Sequence, residues 1–410
     1  MNKDMQSLIR TYANLIVTSG VSLYPGQCLQ IKSGPDTYWF AQEIALAAYE
    51  SGAQLVRIET EDLKLIGKRA EVQTEKELSY VPDFNRQIDF EMMVKDWAYV
   101  RIDNTEDRHW LEHADAAKLS AYKSGMAESG KFYQISRMRN EHPWCVVCAP
   151  GPEWAKAVLG PDATVEEFWD VLAPILRLDT PDPIQAWKDH SDMLLKRCKK
   201  LDDLHIAKLH FTNSFTDLTI GFTDKHVWMG GGDPLPSGGW FIANIPTEEV
   251  FTTPDRLTAE GYVTTTRPVS VMDSLVEGVT LEFAGGKVIS CTAKKGQAVM
   301  DRFLDTDEGA RYLGEVALVD EDSPIAQSNH IFHSILFDEN ASCHLALGAG
   351  YPSCLANAAE LNSDEKLLSA GCNRSLVHTD FMVGSADMHI DAITRDGDRV
   401  TIMDNGKFVL

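Results

Sequence analysis

Apolar positions in the first half of the chain switch between the spacing of helices and that of strands. Residues 5–18 carry apolar side chains three and four positions apart and stop before Gly20, which predicts an amphipathic helix. Residues 40–50 predict a second helix, and the short apolar runs at 54–58 and 97–102 predict strands. Strands that alternate with helices indicate βαβ units, so we predict an α/β N-terminal domain with a mostly parallel sheet.

Strand patterns dominate the second half of the chain. Runs of β-branched and aromatic residues at 209–212, 218–222 and 279–283 predict short strands, and residues 296–304 predict one helix among them. Asp-Gly and Asn-Gly sequences near the end of the chain are typical of hairpin turns. This pattern predicts an α+β domain that is rich in β-strands.

Two prolines mark the place where the pattern changes. Pro181 and Pro183 stand in the sequence Asp-Thr-Pro-Asp-Pro, which a helix cannot cross without a break. We therefore predict an α/β N-terminal domain at 1–183 and a C-terminal domain at 184–410. A length of 410 residues agrees with two domains.

The charge of the chain argues against two classes of partner. There are 61 Asp and Glu residues against 38 Lys and Arg, a formal net charge of −23. Nucleic acids and anionic membranes attract basic surfaces, so we expect neither as a partner. No run of about 18 apolar residues predicts a membrane span, and the N-terminus lacks the features of a signal peptide. The eight cysteines are scattered, so we expect reduced thiols in a cytoplasmic protein.

Single titratable residues interrupt apolar runs in the second half. Glu249 precedes Val-Phe after a proline-bent segment, Glu315 heads the run Val-Ala-Leu-Val, and His344 opens the run Leu-Ala-Leu-Gly. Burying a carboxylate costs several kcal/mol unless it is paired or bound to a metal. His378 and Asp380 are two positions apart, so an extended backbone points both side chains to the same side.

These two imidazoles and three carboxylates are a ligand set typical of a pair of divalent transition metals. A single zinc ion takes three or four protein ligands, so five donors are a surplus that two ions sharing a carboxylate would use. There is no His-Glu-x-x-His sequence, which excludes the helical zinc-peptidase arrangement. The spacing alone leaves a second interpretation open, in which these are buried polar residues with separate partners.

Around these residues the sequence resembles the aminopeptidase T / aminopeptidase S family of dinuclear metallopeptidases, bacterial enzymes that remove N-terminal residues from peptides. The likeness runs along nearly the whole chain and is densest in the second half. The segments that carry it there are NIPTEEVFTTPD (244–255), ARYLGEVALVD (310–320), LFDENASCHLALGAGYP (336–352) and HTDFMVGSADMHID (378–391).

The resemblance implies which residues do the chemistry. It makes Tyr351 the catalytic tyrosine, and it makes Glu315 a bridging ligand, a general base or both. The implied cofactor is two divalent metal ions per chain, zinc, cobalt or manganese, held in the C-terminal domain. The resemblance also implies a homodimer. The implied metal ligands are Glu249, Glu315, His344, His378 and Asp380.

The sequence therefore predicts a metal-dependent aminopeptidase that hydrolyses peptides with a free N-terminus through a water that two metal ions activate. Two alternatives stay open, a dinuclear phosphoesterase with the same ligands and a metal-binding protein without catalysis. The acidic charge and the lack of clustered arginines near the ligands speak against the phosphoesterase. The complete set of ligand positions speaks against a decayed site.

Overall fold

The computed structural model describes residues 3–103, 105–111, 114–272 and 274–410. The chain forms two compact units. The first comprises Met1–Asp189 and Gly232–Pro246, and the second comprises His190–Gly231 and Thr247–Leu410. In the described part of the chain, no helix is long and apolar enough to cross a membrane.

The described residues form fourteen α-helices and twenty-one strands, several of them very short. The helices are α1 (Lys3–Leu15), α2 (Tyr38–Glu50), α3 (Leu63–Val72), α4 (Glu75–Leu78), α5 (Asp83–Val94), α6 (Ala116–Ser129), α7 (Lys131–Met138), α8 (Pro152–Leu159), α9 (Val165–Ile175), α10 (Pro183–Asp203), α11 (Gln297–Leu304), α12 (Pro324–Ser328), α13 (Ile335–Asp338) and α14 (Asp364–Ser369). The strands are β1 (Cys28–Ser33), β2 (Leu55–Thr60), β3 (Ala98–Ile102), β4 (Trp144–Val147), β5 (Ile206–Asn213), β6 (Thr216–Gly221), β7 (Met229–Gly230), β8 (Asp233–Pro234), β9 (Trp240–Phe241), β10 (Asn244–Ile245), β11 (Glu249–Thr252), β12 (Glu260–Thr264), β13 (Val269–Val271), β14 (Ser274–Ala284), β15 (Lys287–Lys295), β16 (Leu313–Val319), β17 (His344–Gly348), β18 (His378–Met382), β19 (His389–Thr394), β20 (Arg399–Asp404) and β21 (Lys407–Phe408).

The first unit is built on a five-stranded sheet in the order β10-β4-β3-β1-β2. Every neighbouring pair of strands is parallel, which confirms the predicted sheet. The first predicted helix is also confirmed, because α1 continues as a π-helical turn, Ile16–Gly20, up to the predicted stop. Leu29 and Ile31 of β1 are fully buried, as expected for a parallel strand that helices cover.

One strand of this sheet comes from a distant part of the chain. The short strand β10 pairs with β4 at Val146 and Val147, and the amide of Val146 donates to the carbonyl of Ala243 at 2.8 Å. The segment 232–246 thus leaves the second unit, completes the first sheet and returns. A two-residue strand has no periodicity of its own, so the sequence pattern gives no sign of this excursion.

The second unit contains two antiparallel sheets, which confirms the β-rich character predicted for this part of the chain. One has five strands in the order β18-β17-β16-β11-β7, and we call it the central sheet. The other, the large sheet, has the order β13-β14-β12-β6-β5-β19-β20-β21, with β15 paired to β14.

The central sheet has one apolar face. Val250 of β11, Val316 and Leu318 of β16, and Leu345 of β17 belong to a single hydrophobic cluster that also includes Phe211 of the large sheet. Successive side chains of a strand point to opposite faces. The positions between these core residues therefore lie on the other face of the central sheet.

Shortening Leu318 should destabilise the second unit. Its side chain is fully buried, and a Leu→Ala change in a packed core costs about 2–5 kcal/mol because it leaves a cavity. Denaturant unfolding followed by circular dichroism measures the change in the free energy of unfolding. The control is Leu257→Ala, at a side chain that is 57% exposed, where we expect a change within about 0.5 kcal/mol. Equal effects at the two positions would contradict the assignment of the apolar face.

Candidate metal centre

The five predicted ligands share one face of the central sheet. Glu249 opens β11, Glu315 lies in β16, His344 opens β17, and His378 and Asp380 belong to β18. Each of these five residues has an apolar neighbour in its strand or directly beside it in the chain. That neighbour belongs to the hydrophobic core or packs against the core. The period of two that buries the apolar residues places these five side chains on the opposite face.

Two alanines lie between the polar side chains on this face. Ala346 is paired with Glu315 in one neighbouring strand and with Asp380 in the other. Ala317 is paired with His344. Because an alanine side chain ends at Cβ, the longer side chains beside it have room to converge above the sheet.

The polar side chains form two groups that share one member. Glu249, Glu315 and His344 each offer an atom within 4.8 Å of the other two, and so do Glu315, His378 and Asp380. In the first group Glu249 Oε2 lies 3.1 Å from His344 Nε2. In the second group His378 Nε2 lies 3.2 Å from Glu315 Oε2 and 3.4 Å from Asp380 Oδ1. Glu315 belongs to both.

These separations fit the ligands of a metal ion. Among the described residues, Oε2 of Glu249 and Oδ1 of Asp380 are buried without a hydrogen-bond partner, although imidazole nitrogens lie 3.1 Å and 3.4 Å away. Two atoms bound tetrahedrally to one zinc ion at about 2.0–2.2 Å lie roughly 3.3–3.6 Å apart, close to the separations in this cluster. The mixture of imidazole and carboxylate is typical of divalent transition metals, so the residues present fit such an ion.

Negative charge exceeds positive charge in this cluster. Burial raises the pKa of Glu315, and the charge of Asp380 adds to the rise against the opposing effect of the adjacent His378. Burial alone would lower the pKa of His344, but the adjacent Glu249 carboxylate overcomes it and raises the pKa to about 10. Without a cation, the site therefore keeps its imidazoles protonated to offset its carboxylates.

Backbone carbonyls orient both imidazoles. His378 Nδ1 donates to the carbonyl oxygen of Ala349 at 2.7 Å, and His344 Nδ1 lies 3.3 Å from the carbonyl oxygen of Ser342. In each ring this leaves Nε2 facing the carboxylates. Metal-binding histidines commonly use their second nitrogen in this way, which fixes the direction of the ring.

Tyr351 lies at the edge of the second group. Its hydroxyl is 3.4 Å from His378 Nε2, and the two rings are 5.1 Å apart between centroids. Burial, followed by the charges of Glu315 and Asp380, raises the pKa of Tyr351 well above its usual value. The phenol therefore keeps its proton at neutral pH and is available as a hydrogen-bond donor.

Glu339 is a sixth polar residue of this cluster, and the sequence pattern did not single it out. Burial and the charges of Asp380 and Glu249 raise its pKa well above the usual value, so Glu339 lies close enough to these carboxylates to be affected by their charge. It begins a 3₁₀ turn, Glu339–Ala341, and so has no strand periodicity to mark it. The sequence feature that could have pointed to Glu339 is its position shortly before His344, within the segment 336–352.

Asn340 fastens this turn to the strand that bears Glu249. Its Oδ1 accepts a hydrogen bond from the backbone amide of Glu248 at 2.7 Å, and its Nδ2 donates to the carbonyl of Leu336 at 3.0 Å. Asn340 is fully buried. The turn with Glu339 and the start of β11 are therefore held together by a side chain rather than by strand pairing.

Comparison with known proteins gives concordant matches over nearly the whole chain. Residues 5–408 match the family model described as thermophilic metalloprotease (M29). Aminopeptidase 2 of Geobacillus stearothermophilus is 36% identical over 400 residues, which cover 97% of this chain and 96% of that protein. Aminopeptidase AmpS of Bacillus subtilis is 35% identical over 404 residues, with 98% of both chains covered. The solved structure of wild-type AmpT from Thermus thermophilus matches with a TM-score of 0.91 at 32% identity, over 99% of this chain and 100% of that chain.

Metal uptake by the metal-free protein should release protons. With a pKa of about 10, His344 is protonated at pH 8, whereas a metal ligand must be neutral. We expect at least about one proton released per chain, and a metal affinity that rises with pH up to about 10. Calorimetric titration with Zn²⁺ in two buffers of different ionisation enthalpy counts these protons.

The same raised pKa affects the metal-free fold with a defined sign. The contribution of His344 to the stability of the metal-free fold is complete below its unfolded pKa near 6.5 and is lost as the pH rises through about 10.

The control for the calorimetric proton count is His344→Gln, which should release fewer protons on metal binding than the natural chain. Metal binding by the natural chain with no proton release at pH 8 would contradict the charge balance described above.

Proposed function

The chain belongs to the thermophilic metalloprotease family M29, and we propose that it removes N-terminal residues from peptides at the cluster on the central sheet. The protein is a metal-dependent aminopeptidase, as its family and its aminopeptidase relatives indicate. The single observation that supports this choice of site is the position of Glu315, whose carboxylate belongs to both groups of potential ligands.

Two divalent ions suit the charge and the layout of this cluster. In the arrangement that we propose, Glu249 and His344 would hold one ion, and His378 and Asp380 would hold the other. Glu315, which belongs to both groups, would be a ligand common to the two sites. With the nearby glutamate of the 3₁₀ turn there are four carboxylates, whose negative charges two divalent cations balance. When bound, the ions supply Lewis acidity and a nucleophilic water at neutral pH.

Tyr351 is the hydrogen-bond donor of the proposed reaction. Its phenol keeps its proton because burial and the surrounding carboxylates raise its pKa. A donor beside the cluster can stabilise the negative charge that develops on the carbonyl oxygen of the scissile peptide bond. The hydroxyl faces the second group of ligands, 3.4 Å from His378 Nε2.

Glu339 is the carboxylate left for proton transfer in this proposal. In the absence of a cation, burial and the charges of neighbouring acids raise its pKa. Because Glu315 would serve as a metal ligand in this arrangement, Glu339 is left to accept a proton from water and to pass it to the leaving amine. The acidic surroundings also attract the ammonium group of a free N-terminus, which suits an exopeptidase.

The family resemblance is the basis for two further parts of the proposal. We propose zinc or cobalt as the working metal, with manganese as a third candidate, because the donors are nitrogen and oxygen atoms only. We also propose a homodimer as the working form, which rests on the resemblance alone.

Removal of metal should abolish activity reversibly. A chelator should stop the hydrolysis of aminoacyl-anilides, because the ligand cluster without ions lacks both the Lewis acid and the nucleophile. Adding Co²⁺ or Zn²⁺ should restore hydrolysis in parallel with the uptake of two ions per chain, measured by elemental analysis. Full activity in protein stripped of metal would contradict the proposal. Cleavage of phosphate esters but not of aminoacyl-anilides would favour the phosphoesterase instead.

Replacement of Tyr351 by phenylalanine should slow the chemical step. The change keeps the ring and removes only the donor, so we expect kcat to fall about 10²–10³-fold while metal content stays the same. Steady-state kinetics on an aminoacyl-anilide measures the effect. Tyr262→Phe is the control, since that side chain is 46% exposed and lies in β12 of the large sheet rather than in the central sheet. An unchanged kcat in the Tyr351 variant would remove Tyr351 from the mechanism.

A further inference from the structure

Phe251 lies on the same face of the central sheet as the cluster. It follows Glu249 by two residues in β11, so both side chains point to one side of the strand. Its neighbours in the chain, Val250 and Thr252, are fully buried on the apolar side, whereas Phe251 itself is half-buried. Phe251 is thus an aromatic side chain on the face of the sheet that carries the polar cluster.

The Phe251 ring packs against the ring of Tyr351. Their centroids are 5.6 Å apart with an angle of 62° between the planes, an edge-to-face contact. Tyr351 makes a second contact of this kind with His378, at 5.1 Å and 64°. The tyrosine ring is therefore in contact with one apolar ring and with one ring of the proposed metal site.

The backbone before Tyr351 is already fixed by hydrogen bonds. The amides of Gly348, Ala349 and Gly350 donate to carbonyl oxygens of three other residues at 2.7–2.9 Å. Gly348 has a φ of +111°, and an added Cβ would lie 2.0 Å from the carbonyl oxygen of Val377, so only glycine fits there. With this backbone fixed, the direction of the hydroxyl depends on how the tyrosine side chain rotates.

Phe251 has one short and one long neighbour across the sheet. It is paired with Ala317 of β16, whose side chain ends at Cβ, and with Met229 of β7. Tyr351 itself directly precedes a 3₁₀ turn, Pro352–Cys354, and is not part of a strand. Phe251 is the apolar ring that meets it.

We propose that Phe251 is a positioning residue that holds the Tyr351 hydroxyl toward the substrate carbonyl. This inference rests on the proposed function, in which Tyr351 is the donor. Loss of the Phe251 ring leaves the donor present but removes the apolar contact on one side of it, and a displacement of about 1 Å in a catalytic group costs roughly 100-fold in rate. We therefore expect Phe251→Ala to lower kcat about 10- to 100-fold, with little change in KM.

A double-mutant cycle tests this dependence. The variants are Phe251→Ala, Tyr351→Phe and the combination, compared by kcat and KM on one aminoacyl-anilide at saturating metal. If Phe251 acts through the hydroxyl, the double variant should be as slow as Tyr351→Phe alone. Phe251→Leu should recover part of the lost kcat, because leucine still fills the space beside the tyrosine ring.

Two measurements separate positioning from a general loss of structure. Metal content and the midpoint of thermal unfolding should stay close to those of the natural chain in Phe251→Ala. Phe215→Ala, at a side chain that is 37% exposed in the same unit, is the matched control and should keep full activity. Should Phe251→Ala fail to bind metal, Phe251→Leu carries the cycle in its place.

The outcomes distinguish this inference from the proposed function. An unchanged kcat in Phe251→Ala, or a double variant slower than Tyr351→Phe by the full factor of the single Phe251 change, overturns the positioning role alone. An unchanged kcat in Tyr351→Phe overturns the donor role of Tyr351 and the positioning role with it.

Discussion

Burial of several carboxylates beside only two imidazoles is the constraint on which the second unit depends. Removing charged groups from water is costly unless opposite charge comes with them. Here the offset is incomplete, since burial and like charge raise the pKa values of Glu315 and Glu339 while the carboxylates raise that of His344. In the proposed function, divalent cations bound at this cluster complete the balance.

The central sheet makes this concentration of charge tolerable by keeping it on one face. The alternate residues of the same strands, such as Val316 and Leu345, are buried in a core shared with the large sheet. That core stabilises the strands independently of the metal site, and the short side chains of Ala317 and Ala346 let the ligands converge. In the proposed function, stability and chemistry are thus divided between two faces of one sheet.

The sequence predicted the strands in which apolar and polar residues alternate. It missed the elements whose position depends on contacts with distant parts of the chain. The alternation around Glu315 and His344 marks both the strands and the unusual polar positions in them. The strand β10 pairs with a segment almost one hundred residues earlier in the chain, at Val146 and Val147, and no local pattern records that. Glu339 was missed for a similar reason, since its 3₁₀ turn is placed by the side chain of Asn340 rather than by periodicity.

The most direct test of the central claim is anomalous diffraction from crystals loaded with Co²⁺. We expect two cobalt peaks per chain on the polar face of the central sheet, one beside Glu249 and His344 and one beside His378 and Asp380. The carboxylate of Glu315 should contact both. A single peak, or peaks away from this cluster, would contradict the claim that the shared carboxylate organises a pair of ions.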